Sequence, residues 1–157
     1  MVAKRVFDFI FSFVGLLIFS WLILICWVIA SIDTRSNGLF MQTRVGRNGQ
    51  HFKVLKIRTM LPIAGYTTTI TQLRDPRITR SGAFFRRSKL DELPQLWNVL
   101  VGDMSFVGPR PDVPGYADRL EEDVQGVLLS VRPGITGPSS LAYRNEEVLL
   151  AAQSDPK

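Results

Sequence analysis

The hydropathy pattern divides the chain near residue 32. From Phe9 to Ala30 there are 22 residues without a charge, and Ser12 and Ser20 are the only hydroxyl-bearing ones. At ~1.5 Å per residue such a run reaches about 33 Å, enough for a hydrocarbon core of about 30 Å. A basic start (Lys4, Arg5) and the ending Val28-Ile29-Ala30 mimic a signal peptide. The run is too long for one, because such apolar stretches are roughly 7–15 residues. Lys4 and Arg5 precede the run and Arg35, Arg44 and Arg47 follow it. Positive charge favours the cytoplasmic side, so basic flanks at both ends favour re-entry: two half-helices with a bend near residues 15–20. No proline lies there, and Gly or Ser alone bends a helix weakly. The residues themselves leave spanning and re-entry balanced.

Beyond the run, the pattern changes to short alternating segments. Asp33-Thr34-Arg35-Ser36-Asn37-Gly38 is a polar turn. Residues 39–45 and 50–59 predict two strands around Arg47-Asn48-Gly49, with Asn-Gly as the hairpin signal. Residues 61–73 predict a mobile connection. Residues 82–87 predict a short basic helix carrying Phe84 and Phe85, suited either to the headgroup level or to a core. Apolar positions 90, 93, 96, 97, 100 and 101 predict one helix over 88–101, with Ser88 and Asp91 as a capping box and Gly102 as its end. A short strand within 102–114, a helix over 116–130, a loop over 132–138 and a last helix over 146–153 follow. The uncapped ending Ser-Asp-Pro-Lys is that expected of a C-terminally truncated chain. The fold class expected is α+β: a membrane-embedded segment over 1–32, then a compact domain over 33–157 with a small β-hairpin and interfacial amphipathic helices.

Charge adds a partner class. Residues 1–90 hold 14 Lys/Arg against 3 Asp/Glu, whereas residues 91–157 hold 5 against 11. A basic half beside a membrane segment suits anionic headgroups or phosphorylated substrates. No helix-turn-helix, zinc-finger or RNA-binding signature is present, so nucleic acid is not expected. Cys26 is the single cysteine, which excludes an internal disulfide.

Candidate chemistry gathers at Asp91-Glu92. Acidic residues at a helix start commonly serve only the macrodipole and the free N–H groups. Here they follow Arg80, Arg86, Arg87 and Lys89, with Arg77 a little upstream, so cations for phosphate adjoin the carboxylates. Arg110 is held between Pro109 and Pro111, which pre-organises its guanidinium for bidentate phosphate contact. Lys56 and Arg58, at i and i+2, share one strand face, either as solvated charges or as a phosphate clamp. Two carboxylates can share Mg²⁺, which usually keeps substrate phosphates among its ligands. Such a set suits phosphoryl transfer, where positioning and charge neutralisation dominate. His51 is the sole histidine, which disfavours a Ser-His-Asp triad, and no Walker A sequence occurs.

The strings KIRTM, DPRITRSGAFFRRSKLDELPQLWNVLVGDMSFVGPRPDVP and RPGITG, in this order, resemble the bacterial sugar transferase family of small monotopic polyprenyl-phosphate phosphoglycosyl transferases. The resemblance covers nearly the whole chain to about Gly137. It implies transfer of a sugar-1-phosphate from a UDP-sugar to polyprenyl (undecaprenyl) phosphate with release of UMP, as a first membrane step of glycan assembly. It implies Asp91 as nucleophile forming a covalent phosphosugar intermediate, Glu92 as its partner, and Mg²⁺ at both. Lys56, Arg58 and Arg86 become phosphate ligands, and Pro109-Arg110-Pro111 the nucleotide-side loop. A re-entrant helix at the bacterial inner membrane, with a cytoplasmic active site, is implied as well. Two departures stand out: Ser20-Trp21 replaces the family's Ser-Pro, and Pro138-Ser139-Ser140 replaces an apolar-Ala-Gln stretch. A membrane-anchored binder of anionic or phosphorylated ligands explains charge and anchor but not the dyad. A UDP-sugar hydrolase would release UMP without an acceptor.

Overall fold

The computed structural model describes residues 2–62, 75–115 and 122–137. Beyond Pro62 the expected connection lies outside the described residues, as does the helix expected over 146–153.

α1 (Val2–Thr34) is one helix with no non-helical residue inside it. Helical backbone runs unbroken through residues 15–20, where a bend between two half-helices was expected. Ser12 and Ser20 donate back to the carbonyls of Phe9 and Leu17 at 3.1 and 3.2 Å, so both hydroxyls are satisfied within the helix. One stripe of α1 meets the rest of the protein: Asp8, Ser12, Cys26, Ala30 and Thr34 are buried, with Gly15 facing Leu96. Around the remaining circumference, Phe9, Ile10, Phe13, Leu17, Trp21, Leu24 and Val28 are exposed. Length and composition suffice to cross a membrane.

Both ends of α1 are fastened to the same body. Near its start, Arg5 donates from Nη1 to the Val99 carbonyl (2.6 Å) and from Nη2 to that of Leu100 (2.7 Å), Lys4 donates to the Val107 carbonyl (2.7 Å), and Asp8 accepts from the Phe106 N–H (3.2 Å). Near its end, Asp33 accepts from the Ser81 hydroxyl.

β1 (Leu39–Val45) and β2 (His51–Ile57) pair antiparallel, from Leu39 opposite Ile57 to Val45 opposite His51. The predicted Asn-Gly signal is the turn: Asn48 and Gly49 take φ of 57° and 74°. The free edge of β2 is covered by one side chain. Asn98 accepts from the Leu55 N–H (3.0 Å) and donates to the Lys53 carbonyl (2.8 Å), which removes an open edge.

α2 (Arg80–Ser88) starts at Thr79, whose hydroxyl accepts from the Gly82 N–H. Gly82 is needed for contact, because a Cβ there would lie 2.2 Å from the Thr59 carbonyl oxygen. Phe85 is buried, as a core-packed helix end requires, and Phe84 is exposed.

The single helix expected over 88–101 is broken. Lys89 takes the left-handed conformation (φ 60°) and ends α2; a 3₁₀ turn over Leu90–Glu92 follows; Pro94 then precedes α3 (Gln95–Val101). The proline ring has no N–H and cannot continue a helix from behind. The Ser88–Asp91 capping box consequently does not form. Ser88 donates instead to the carbonyls of Phe84 and Phe85, closing α2. Gly102, at φ 100°, ends α3 as expected.

β3 (Ser105–Val107) lies in the segment predicted to hold a strand. It pairs in parallel with β4 (Gly134–Thr136), inside the stretch expected as loop. α4 (Glu122–Leu129) falls within the helix expected over 116–130. Two apolar clusters organise the body. Cys26 and Ala30 of α1 meet Ile57 and Phe85, with Leu90 packed alongside; Val54, Val99 and Met104 form the other.

Candidate active site

The break between α2 and α3 makes the site. Leu90 packs against the Cys26–Ala30–Ile57–Phe85 cluster, so the 3₁₀ turn is pinned to α1 and β2 at once. The next residue, Asp91, is buried, yet its Oδ1 has no hydrogen-bond partner. A buried carboxylate oxygen without a partner is costly. The macrodipole explanation for Asp91 loses its basis, because Asp91 begins no helix and caps nothing.

Charge gathers around that oxygen. Burial pushes the Asp91 carboxyl above the ordinary carboxylate range; Lys56 pulls it down, Glu92 pushes it up, and Lys89 and Arg86 pull it down further. Glu92 Oε1 lies 3.3 Å from Lys56 Nζ. The cluster is thus two adjacent carboxylates inside three cations delivered by β2, α2 and the turn. Lys89 was counted among the upstream cations but not as a site residue. Its signal was its place two positions before Asp91, where a left-handed residue turns the chain.

Arg58 donates from Nε to the Asn37 carbonyl (2.7 Å), and its guanidinium lies 5.4 Å over the ring of Phe40, the residue opposite Lys56. Arg77, upstream of the dyad, forms a bidentate pair with Asp75, from Nε to Oδ1 at 2.9 Å and from Nη2 to Oδ2 at 2.6 Å. Arg80 and Arg87 are exposed.

Pro109-Arg110-Pro111 docks at the opposite end of the hairpin. Val45 N–H donates to the Asp112 carbonyl (2.9 Å), and Arg44 donates to the Pro111 carbonyl (3.1 Å). Arg110 lies near enough to Arg44 that, together with burial, it depresses the Arg44 guanidinium pKa. Val45 is five positions along β1 from Phe40, the partner of Lys56. At ~3.4 Å per residue that is about 17 Å. A small cavity there is lined by Pro109, Arg110, Pro111, Val45 and Leu128 among others. Arg110 therefore belongs to a second locus, joined to the dyad by the hairpin.

Among the described residues no group of three or more His, Cys, Asp or Glu side chains gathers. A two-carboxylate donor set with an unpartnered buried oxygen still fits Mg²⁺, because substrate phosphates usually complete its shell.

A buried carboxylate and a half-buried neighbour with cations beside them, next to a long apolar helix, suit phosphoryl transfer. Comparison with known proteins gives this class its family. The bacterial sugar transferase family matches residues 1–155, and the chain belongs to it. A Bacillus subtilis relative, named provisionally for undecaprenyl-phosphate N-acetylgalactosaminyl 1-phosphate transfer, is 41% identical over 78% of this chain and 69% of its own length. An exopolysaccharide production protein of Rhizobium meliloti is 37% identical over 92% of this chain and 70% of its own. The UDP-glucose:undecaprenyl-phosphate glucose-1-phosphate transferase of Klebsiella pneumoniae is 39% identical over 93% of this chain but only 32% of its own. The chain thus spans about a third of the longer relatives and about 70% of the shorter ones.

Proposed function

We propose that this chain transfers a sugar-1-phosphate from a UDP-sugar to a polyprenyl phosphate such as undecaprenyl phosphate. Asp91 attacks the sugar-bearing phosphorus, the bond to the UMP oxygen breaks, and an acyl-phosphosugar forms on the carboxylate. An oxygen of the acceptor phosphate then attacks the same phosphorus. The acyl-phosphate bond breaks, Asp91 returns as carboxylate, and a polyprenyl diphosphate sugar leaves. Lys56, Lys89 and Arg86 neutralise charge on the phosphates throughout, the effect on which such transfers chiefly depend. Glu92, kept near Lys56, orients the acceptor phosphate. Asp91 and Glu92 would hold Mg²⁺, which supplies further charge neutralisation on the donor. Arg110, at the other end of the hairpin, suits the nucleotide end of the donor. The different sugars in the relatives' names leave the sugar open.

One observation carries this proposal: a buried carboxylate oxygen without a partner, ringed by cations, one residue from the contact with α1. That placement suits a lipid acceptor whose phosphate sits at headgroup level. Purified protein given a UDP-sugar panel with and without polyprenyl phosphate tests it. The expected result is UMP release that continues past one turnover only with the acceptor and stops on chelation of Mg²⁺. Absence of UMP from every donor would favour a binder, and acceptor-independent turnover a hydrolase.

We further propose that α1 enters and leaves the membrane through one face, with the catalytic body on the cytoplasmic side of the bacterial inner membrane. Support comes from its ends: Lys4, Arg5 and Asp8 hydrogen-bond to the same body as Asp33. A bilayer of about 30 Å between the ends would separate those partners. A cysteine at Val2 should resist a periplasmic impermeant maleimide; labelling would contradict the topology.

A further inference from the structure

The turn that leaves α1 builds a second cationic seat. Trp27 donates from Nε1 to the Asn37 side-chain oxygen (3.1 Å), which also accepts from the Leu39 N–H (2.9 Å). Gly38 N–H donates to Ser31 Oγ (2.9 Å), and a Cβ on Gly38 would lie 2.2 Å from the Trp27 carbonyl oxygen. The turn is therefore locked onto the last two turns of the helix. Arg58 is tied to it twice, through its N–H to the Gly38 carbonyl (2.6 Å) and through Nε to the Asn37 carbonyl. Phe40 supports the guanidinium face.

What remains unused is the fork. Among the described residues neither Nη group of Arg58 makes a hydrogen bond, and no carboxylate pairs with it. A planar guanidinium held by a carbonyl and an aromatic ring, with both Nη groups unused among the described residues, is pre-organised for a phosphate. Its surroundings indicate whose phosphate. The Asn37 that holds Arg58 also accepts from Trp27 of α1, a residue type that sits at the headgroup level, and α1 beyond it presents exposed apolar side chains. Arg35 adds a second cation in the same turn.

We propose that Arg58, supported by Phe40 and Asn37, binds the phosphodiester of an anionic glycerophospholipid headgroup and so fixes the depth of the α1 exit turn. The shared chemistry is a phosphate oxyanion, which a lipid headgroup, the acceptor lipid or free phosphate could supply. The tie of Arg58 to the turn that leaves the exposed apolar helix favours the bulk lipid. This seat requires α1 to lie in the membrane but not the chemistry proposed at Asp91, so absence of UMP release would leave it standing.

The test compares full-length protein in nanodiscs of phosphatidylcholine alone and with about a third phosphatidylglycerol. A ligand that binds only the folded state raises the melting temperature by mass action. The difference between the two lipids should be several degrees for the unaltered protein, at least halved in Arg58→Gln, intermediate in Phe40→Leu, and intact in Lys53→Gln, which removes an exposed cation elsewhere. Reading the difference between lipids cancels any general destabilisation, and Arg58→Lys distinguishes fork from charge by recovering only part. Equal lipid effects in Arg58→Gln and unaltered protein would overturn the proposal. So would inorganic phosphate reproducing the shift in pure phosphatidylcholine, or a few mole per cent of polyprenyl phosphate doing so, which would give the seat to the acceptor.

Discussion

α1 and the stretch from Ser88 to Val101 pack together from Leu90 to Leu100 and handle the helical backbone in opposite ways. α1 keeps its ladder from Val2 to Thr34 even at Gly15 and Ser20, and its serine hydroxyls turn inward to neighbouring carbonyls. The second stretch stops at Lys89, tightens into a 3₁₀ turn, and starts again after Pro94. The proposed membrane placement of α1 accounts for the contrast: in lipid a broken ladder leaves backbone groups that nothing solvates. At the protein surface, Ser88, a left-handed residue and short turn bonds can satisfy them. The interruption has a chemical consequence, because it frees Asp91 from capping and leaves its oxygen buried inside a ring of cations.

The strongest way to break this contrast is to remove the freed carboxylate. Asp91→Asn should lower UMP release by at least about 10³-fold, the scale for losing a nucleophile. Thermal unfolding should move the other way. The folded-state pKa of Asp91 is raised, so its ionised form costs stability, and that cost develops as pH rises from the unfolded value of 3.8 toward the folded one. Asn avoids the cost: the variant should melt higher than the unaltered protein at neutral pH, and the gain should vanish below that value. A lower melting temperature at pH 7 would mean that the carboxylate is satisfied.

Restoring helical continuity comes next. Pro94→Ala removes the ring that separates turn from helix, and a dyad misplaced by about 1 Å costs roughly 10²-fold in turnover. Unchanged turnover would show that Lys89 alone sets the turn. Gly82→Ala drives a methyl toward the Thr59 carbonyl oxygen and should destabilise by about 1–3 kcal/mol, read by thermal melting. The acid limb of kcat/KM should lie above the ordinary carboxylate range, since turnover needs ionised Asp91; a limb near 3.8 would place the nucleophile elsewhere. Ser20→Ala should be the mildest change, within about 0.5 kcal/mol, because its hydroxyl only bonds back within the helix.

Much of this was legible from residues. The Asn-Gly turn, the end at Gly102 and the apolar helix follow from local rules that act within a few positions. The family strings pointed to Asp91, Glu92, Lys56 and Arg86, which the structure places near one another. The broken helix was not legible, because apolar positions 90, 93, 96 and 97 keep a helical spacing across it, and a left-handed lysine carries no local signature. Pro94 was present but tolerable at a helix start, so it could not decide. Lys56 and Arg58 were expected on one strand face, and both adjoin Phe40: Lys56 lies opposite it in the hairpin, and the Arg58 guanidinium lies 5.4 Å over its ring. The parallel pairing of β3 with β4 joins segments far apart in sequence, which short-range patterns cannot report.

The central claim is that Asp91 is the atom-transferring group. Intact-mass and peptide analysis of protein mixed with a competent UDP-sugar, without acceptor lipid, tests it most directly. The account predicts a gain of one sugar-phosphate on Asp91, discharged on adding polyprenyl phosphate and absent in Asp91→Asn. Turnover with no such adduct, or an adduct on another side chain, would contradict it.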